Sequence, residues 1–73
     1  MSKMIDYEII EHYGTISTDQ NGYTKEVTLM SWNGAESKID IRNWKPEMKA
    51  PLKGIALTYE EAQMLADIIK NIE

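Results

Sequence analysis

Only one segment of this 73-residue chain has the pattern of an α-helix, and it lies near the C-terminal end. Thr58 and Glu61 have the spacing of a capping box, in which each side chain accepts a hydrogen bond from the other residue's backbone N–H. Apolar residues then recur every three or four positions, with no glycine or proline between them: Ala62, Leu65, Ala66, Ile69 and Ile72. This spacing predicts a helix from Tyr59 to Ile72.

Strand and turn patterns fill the chain before this helix. Apolar and acidic residues alternate from Ile5 to Ile9, which predicts a long strand that bends at Gly14 and continues to Thr18. Further strands are predicted for residues 23–32, 37–44 and 54–57. Asn33-Gly34 supplies a tight turn, and two prolines mark residues 45–53 as a loop. The predicted fold class is α+β, with four strands followed by one C-terminal helix (ββββα) in a single domain, residues 1–73.

The composition excludes several kinds of site. Without cysteine the chain has no disulfide, no thiolate nucleophile and no zinc site built on sulfur. His12 is the only histidine and has no partner at ligand spacing, and no serine or threonine has a recognisable general base. We therefore expect no enzymatic activity, no catalytic or metal-binding residues, no cofactor and no small-molecule substrate.

Chain length and hydropathy indicate the cellular location of the protein and how its fold is stabilised. No stretch approaches the roughly 18 consecutive apolar residues of a membrane span, and residues 1–6 lack the apolar core of a secretory signal. We expect a cytoplasmic protein, either associated with the nucleoid or not, that has no membrane partner. In a chain this short, the hydrophobic gain of folding roughly equals the entropy cost, so self-association is a hypothesis from the outset.

Alternation along the predicted strands puts both tryptophans on one face. Val27 and Leu29 in the second strand, and Ile39 and Ile41 in the third, are expected to be buried together with Ile55 and Leu57 beneath the helix. The opposite phase is then exposed. It contains Trp32, Lys38, Arg42 and Trp44.

Exposed aromatic rings beside cations are typical of proteins that bind single-stranded nucleic acid. Bases stack on the rings, and the cations attract the phosphates. The net charge is -4, but residues 25–53 hold six of the eight basic residues and only four of the twelve acidic ones. A second interpretation stays open from alternation alone: both tryptophans close the edge of the core or a dimer interface, and the cations are ordinary surface charges.

Three motifs resemble a known family. They are Ser31-Trp32-Asn33-Gly34, then Lys38-Ile39-Asp40-Ile41-Arg42 with Trp44 close behind, then Lys53-Gly54-Ile55 before the acidic helix start. Together they resemble the single-stranded-DNA-binding domain of the transcriptional coactivator positive cofactor four, and most of all its bacterial YdbC-like branch. The resemblance extends from about Tyr7 to Ile72.

The resemblance implies a homodimer of curved antiparallel sheets whose C-terminal helices pack together at the interface. It implies that Trp32 and Trp44 are stacking platforms, that Lys38, Arg42 and Lys53 contact phosphates, and that Tyr23 and Lys25 form the adjoining edge. The expected partners are single-stranded DNA or RNA and a second copy of the chain. The alternative function, from a different class, is a protein-interaction module that uses the tryptophan patch.

Overall fold

The chain folds into one antiparallel sheet followed by one helix. The structure, a computed structural model, describes residues 6–72, so the predicted strand start at Ile5 lies outside the described residues. The elements are β1 (Tyr7–Thr18), β2 (Thr24–Trp32), β3 (Lys38–Trp44), β4 (Pro51–Leu57) and α1 (Tyr59–Lys70). Each strand pairs with the next in the order β1-β2-β3-β4. The predicted ββββα architecture is confirmed.

Local sequence signals account for two of the junctions. In the β2–β3 turn, Asn33 and Gly34 have φ of 52° and 75°, the left-handed backbone that this pair adopts readily in tight hairpins. At the start of α1, the Glu61 amide donates to Thr58 Oγ1 at 3.1 Å, and the Thr58 amide donates to Glu61 Oε1 at 2.9 Å. Both the tight turn and the capping box are therefore confirmed.

Strand β4 begins at Pro51, three residues before the predicted start at Gly54. The two prolines led the sequence prediction to place the whole of residues 45–53 in a loop. Pro51 is nonetheless compatible with β4, because β4 is an edge strand and proline is tolerated at the first residue of such a strand.

Strand β1 contains three register shifts against β2, where the sequence predicted a single bend at Gly14. The shifts fall between Ile9 and Glu11, between His12 and Gly14, and between Thr15 and Ser17. Twelve residues of β1 therefore lie against nine of β2. Bulges of this kind bend a strand and increase its twist, so β1 curls over one face of the sheet.

The face that this curl encloses is the opposite of the predicted core. Its buried residues are Glu26, Thr28, Met30, Asp40 and Trp44. The residues expected to form the core, Val27, Leu29, Ile39, Ile41 and Leu57, are only partly buried, and Ile55 is 55% exposed. We call the face that carries the buried residues, such as Asp40 and Trp44, the inner face. The face that carries Val27, Ile41 and the other residues expected to form the core is the outer face. For a single chain the prediction of a core on the outer face was wrong, because alternation gives the phase of a strand and not the face that the chain covers.

The helix does not cover either face closely. No residue of α1 is buried, and its contacts with β3 and β4 are sparse. The expectation that α1 seals the outer face was therefore also wrong for a single chain. No helix within residues 6–72 has the length and apolarity needed to cross a membrane.

Candidate nucleic-acid interface

Three aromatic rings meet on the inner face. The Tyr7 ring centroid lies 5.5 Å from that of Trp32, with the rings tilted by 51°, and 5.6 Å from that of Trp44, in an edge-on contact at 74°. The two tryptophans lie near opposite ends of the β2–β3 hairpin. Tyr7 reaches both because the sheet is curled.

The two tryptophans differ in exposure. Trp44 has 0% of its surface exposed, whereas Trp32 is half-buried. The prediction that both rings are open to solvent was therefore wrong for Trp44. Its large apolar ring fills the space enclosed by the curled sheet, and Tyr7 closes over it. Trp44 is a core residue, and of the two tryptophans only Trp32 is accessible from outside.

Arg42 lies against the face of Trp32. Its guanidinium carbon is 4.6 Å from the ring centroid, within the range of a cation–π contact. Asp40, 1% exposed, holds both side chains: the Trp32 indole N–H donates to Asp40 Oδ2 at 3.0 Å, and Arg42 donates to both carboxylate oxygens. Asp40 was not among the predicted site residues, although its position between Ile39 and Ile41 in an alternating strand was visible in the sequence.

A cleft of about 340 Å³ opens beside this pair. Its walls are Tyr7, Trp32, Arg42, Pro51 and Leu52. Apolar and aromatic walls around a few polar groups are typical of ligand sites, and the volume is at the lower end of their range. Tyr7 and Leu52 were missed by sequence reasoning. The contact of Tyr7 depends on the curl of β1, and Leu52 had been assigned to a loop.

A second cleft, of about 250 Å³, adjoins the first at Leu52. It contains Tyr23 and Lys25, the two residues predicted to form the edge of the site, together with Asn43 and Ser17. Asp19 also lines this cleft. Lys25 and Asn43 have the strand phase of Val27 and Ile41, so the structure places these two predicted residues toward the outer face, and Leu52 is the residue that the two clefts share.

The remaining predicted cations occupy different surroundings. Lys53 is exposed and directly follows Leu52, which lines both clefts. Lys38 is also exposed, but it lines a separate cleft with Ser37, Tyr59 and other residues at the start of α1. Of the seven predicted residues, Trp32 and Arg42 thus line the first cleft, Tyr23 and Lys25 line the second, Lys53 borders both, Lys38 lies apart, and Trp44 is buried.

A buried carboxylate lies elsewhere on the inner face. Glu26 is 3% exposed, and its Oε1 accepts hydrogen bonds from Thr15 at 2.6 Å and from the His12 ring at 2.7 Å. Burial alone would raise the pKa of Glu26, but these hydrogen bonds and the attraction of His12 outweigh burial and lower the pKa below its ordinary value of 4.5. Glu26 is therefore a charged, satisfied core residue.

No group of three or more His, Asp or Glu side chains within residues 6–72 is arranged to hold a metal ion. Asp40 and Glu26 each have their own protein partners, a guanidinium in one case and an imidazole and a hydroxyl in the other. The two clefts present the rings of Tyr7, Trp32 and Tyr23, and their charged side chains are Arg42, which is paired with Asp40, and Lys25 and Asp19.

Comparison with known proteins agrees with the resemblance seen in the sequence. A family described as Transcriptional Coactivator p15 (PC4) matches residues 20–68, from the β1–β2 turn into α1. An uncharacterized protein of Treponema pallidum (strain Nichols) is 39% identical over 66 residues, which cover 90% of this chain and 78% of the relative. The family match covers Trp32, Arg42 and Lys53, and the chain belongs to the PC4 family.

Proposed function

We propose that the chain binds single-stranded DNA or RNA with little preference for sequence, in transcription, replication or repair. Its family is one of nucleic-acid-binding domains, so the proposal concerns which form of nucleic acid is bound and how. The observation that carries it is the cleft in which the half-buried Trp32 ring lies beside Tyr7 and Arg42.

Flat rings favour unpaired strands. A base in a duplex is stacked on both sides, whereas an unpaired base can place its face against an indole, which contributes about 1 to 3 kcal/mol per base. Every base has such a face, so stacking discriminates little between sequences. The partly exposed Trp32 and the neighbouring Tyr7, 37% exposed, are the rings available for this contact.

Cations near the joined clefts supply attraction for the phosphates. Lys53 is exposed beside Leu52, and Lys25 lines the second cleft. Lys38 lies apart from these two, in the cleft at the start of α1 that also contains Glu36 and Glu60. Acidic residues elsewhere give the chain its charge of -4, so binding is expected to depend on this local field and to weaken as salt rises.

We also propose that the functional unit is a homodimer with the α1 helices at its interface. The apolar residues of α1 include Met64, Ile68 and Ile69, and Ile72 follows the helix; all four are 57% to 68% exposed. With the half-exposed outer face, they form an apolar surface that a single chain leaves in water. A second copy would cover this surface and leave the inner-face cleft open, which agrees with the arrangement that the resemblance implies.

The dimensions support the same conclusion. The accessible surface is 5782 Å², whereas a globular chain of 8.4 kDa has about 4,600 Å². The excess of about 1,200 Å² exceeds the roughly 800 Å² that each partner contributes to a standard interface. The radius of gyration is 13.5 Å, against about 11 Å for a compact chain of this length.

The test is a titration of three labelled probes: oligo-dT, the same strand paired with oligo-dA, and oligo-U. We expect saturable binding of the unpaired strands, weaker binding of the duplex, and quenching of tryptophan fluorescence on binding. Equal affinity for oligo-dT and the duplex would contradict the stacking proposal. No binding to any probe would favour the protein-interaction alternative.

A further inference from the structure

We infer that Arg42 binds nucleic acid as a flat stacking surface, positioned by Asp40, and does not act as a phosphate contact. This inference rests on the proposed function. It differs from the role that the family resemblance implies for Arg42, and it assigns to Asp40, a residue outside the predicted site, the task of holding the stacking pair.

The charge of Arg42 is already compensated within the chain. Its Nε donates to Asp40 Oδ1, and its Nη2 donates to Asp40 Oδ2 at 2.9 Å. This two-point contact matches the planar guanidinium to the carboxylate. Because Asp40 is 1% exposed, withdrawing Arg42 toward a phosphate would leave a buried negative charge with no cation and, among residues 6–72, only the Trp32 indole N–H as a donor.

The remaining contacts fix the guanidinium plane. Nη1 donates to the Leu52 backbone carbonyl at 3.0 Å, so all three nitrogens of the group are engaged. Only 15% of the Arg42 side chain is exposed. A phosphate contact requires N–H groups at the edge of the guanidinium, and here Asp40 and Leu52 accept hydrogen bonds from three of the five.

One face of the plane is therefore left for a ligand. The other face lies over Trp32, 4.6 Å from the ring centroid. The cleft that Arg42 lines has Tyr7, Pro51 and Leu52 as its other walls, which are suited to a flat, weakly polar group and offer no cation to a phosphate. Guanidinium planes stack on unpaired bases as aromatic rings do. The chemical group that fits this cleft is a nucleobase.

The closing experiment measures oligo-dT affinity over a range of salt concentrations for wild type, Arg42→Lys and Lys53→Met. Arg42→Lys keeps the charge and removes the plane. We expect it to bind about five- to tenfold more weakly, with the same dependence of log K on log salt as wild type. Lys53→Met removes an exposed cation, and we expect its salt slope to become shallower by about 0.7, the value for one phosphate contact with a single strand.

Asp40→Asn provides a second test, with Asp67→Asn on α1 as a control of equal charge change. Freed from its carboxylate, Arg42 can turn to a phosphate, so Asp40→Asn is expected to steepen the salt slope by about 0.7 relative to Asp67→Asn. Thermal unfolding establishes that each variant is folded. If Asp40→Asn does not fold, the oligo-dT affinity of Arg42→Lys alone tests the stacking role of Arg42.

The outcomes separate this inference from the proposed function. Wild-type affinity in Arg42→Lys would overturn the stacking role, because a phosphate contact tolerates lysine. The double variant Asp40→Asn with Arg42→Gln removes both charges of the pair. If its salt slope were shallower than that of wild type, Arg42 would be a phosphate contact, and the stacking role would be overturned as well. If wild type itself fails to bind oligo-dT, the proposed function fails, and not this assignment alone.

Discussion

Replacing the two tryptophans separately should produce two different defects. Trp44 is completely buried, so Trp44→Ala leaves a large cavity, and truncations of this kind cost about 3 to 5 kcal/mol. A domain of 73 residues has a total stability of about 4 to 11 kcal/mol. Trp44→Ala is therefore expected to lose at least about a quarter of the total stability and, at the lower end of that range, to unfold at room temperature.

Trp32→Ala should remain folded. The ring is half-buried, and its one polar contact in the described residues is the indole N–H donated to Asp40. Loss of that hydrogen bond and part of the packing costs about 1 to 2 kcal/mol. Affinity for oligo-dT should fall by about 1 to 3 kcal/mol, roughly five- to 150-fold, because a stacking surface is lost.

Trp44→Phe is the matched control. Phenylalanine keeps most of the volume, and the Trp44 indole N–H has no hydrogen-bond acceptor within residues 6–72, so no polar contact is lost. This variant should fold and bind oligo-dT as wild type does. Denaturant unfolding followed by circular dichroism, together with anisotropy of a labelled strand, measures both quantities. A folded Trp44→Phe that loses binding as strongly as Trp32→Ala would refute the division of roles.

Three further predictions concern packing, acid stability and assembly. A Cβ at Gly54 would lie 1.9 Å from Arg42 Cβ, so Gly54→Ala should lower stability by at least about 1 to 3 kcal/mol in denaturant unfolding. The lowered pKa of Glu26 stabilises the fold above about pH 4.5, and this contribution is lost as pH falls through the folded pKa. Melting temperature should therefore drop more steeply in acid for wild type than for Glu26→Gln, and parallel curves would contradict the assignment. In light scattering, wild type should have twice the 8.4 kDa mass of one chain, and Ile68→Glu, which places a charge on the exposed face of α1, should have the mass of a single chain. A mass of 8.4 kDa for wild type would rule the dimer out.

Local signals in the sequence were sufficient for the element order. The Asn33-Gly34 turn and the Thr58 capping box depend only on neighbouring residues. Their geometry is therefore readable without knowledge of the tertiary structure. The alternation in β2 and β3 also gave the correct grouping of residues into two faces.

The choice of the buried face was not available from local pattern. Hydrophobicity favoured Val27 and Ile41 as core, but the bulged β1 curls over the face that carries Asp40 and Glu26. Those carboxylates tolerate burial because each has its own partners, Arg42 for one and His12 with Thr15 for the other. The Glu26 contacts depend on the register between β1 and β2, which single-strand patterns do not contain, whereas Asp40 and Arg42 lie two residues apart on β3.

The site was predicted in part for the same reason. Trp32 and Arg42 share a strand phase, and the structure brings them into contact. Tyr7 was not identified because its place in the site follows from three register shifts. Trp44 shares the phase of Trp32, but the same curl of β1 buries it, so phase alone could not distinguish a core ring from an exposed one.

The most direct test of the account is to follow the two indole N–H signals by NMR while unlabelled oligo-dT is added. Trp32 and Trp44 each contribute one signal, which Trp44→Phe assigns. We expect the Trp32 signal to shift on binding, because its ring faces the cleft, and the Trp44 signal to stay close to its free position. A shift of the Trp44 signal with none at Trp32, or no change in either at saturating DNA, would contradict the account.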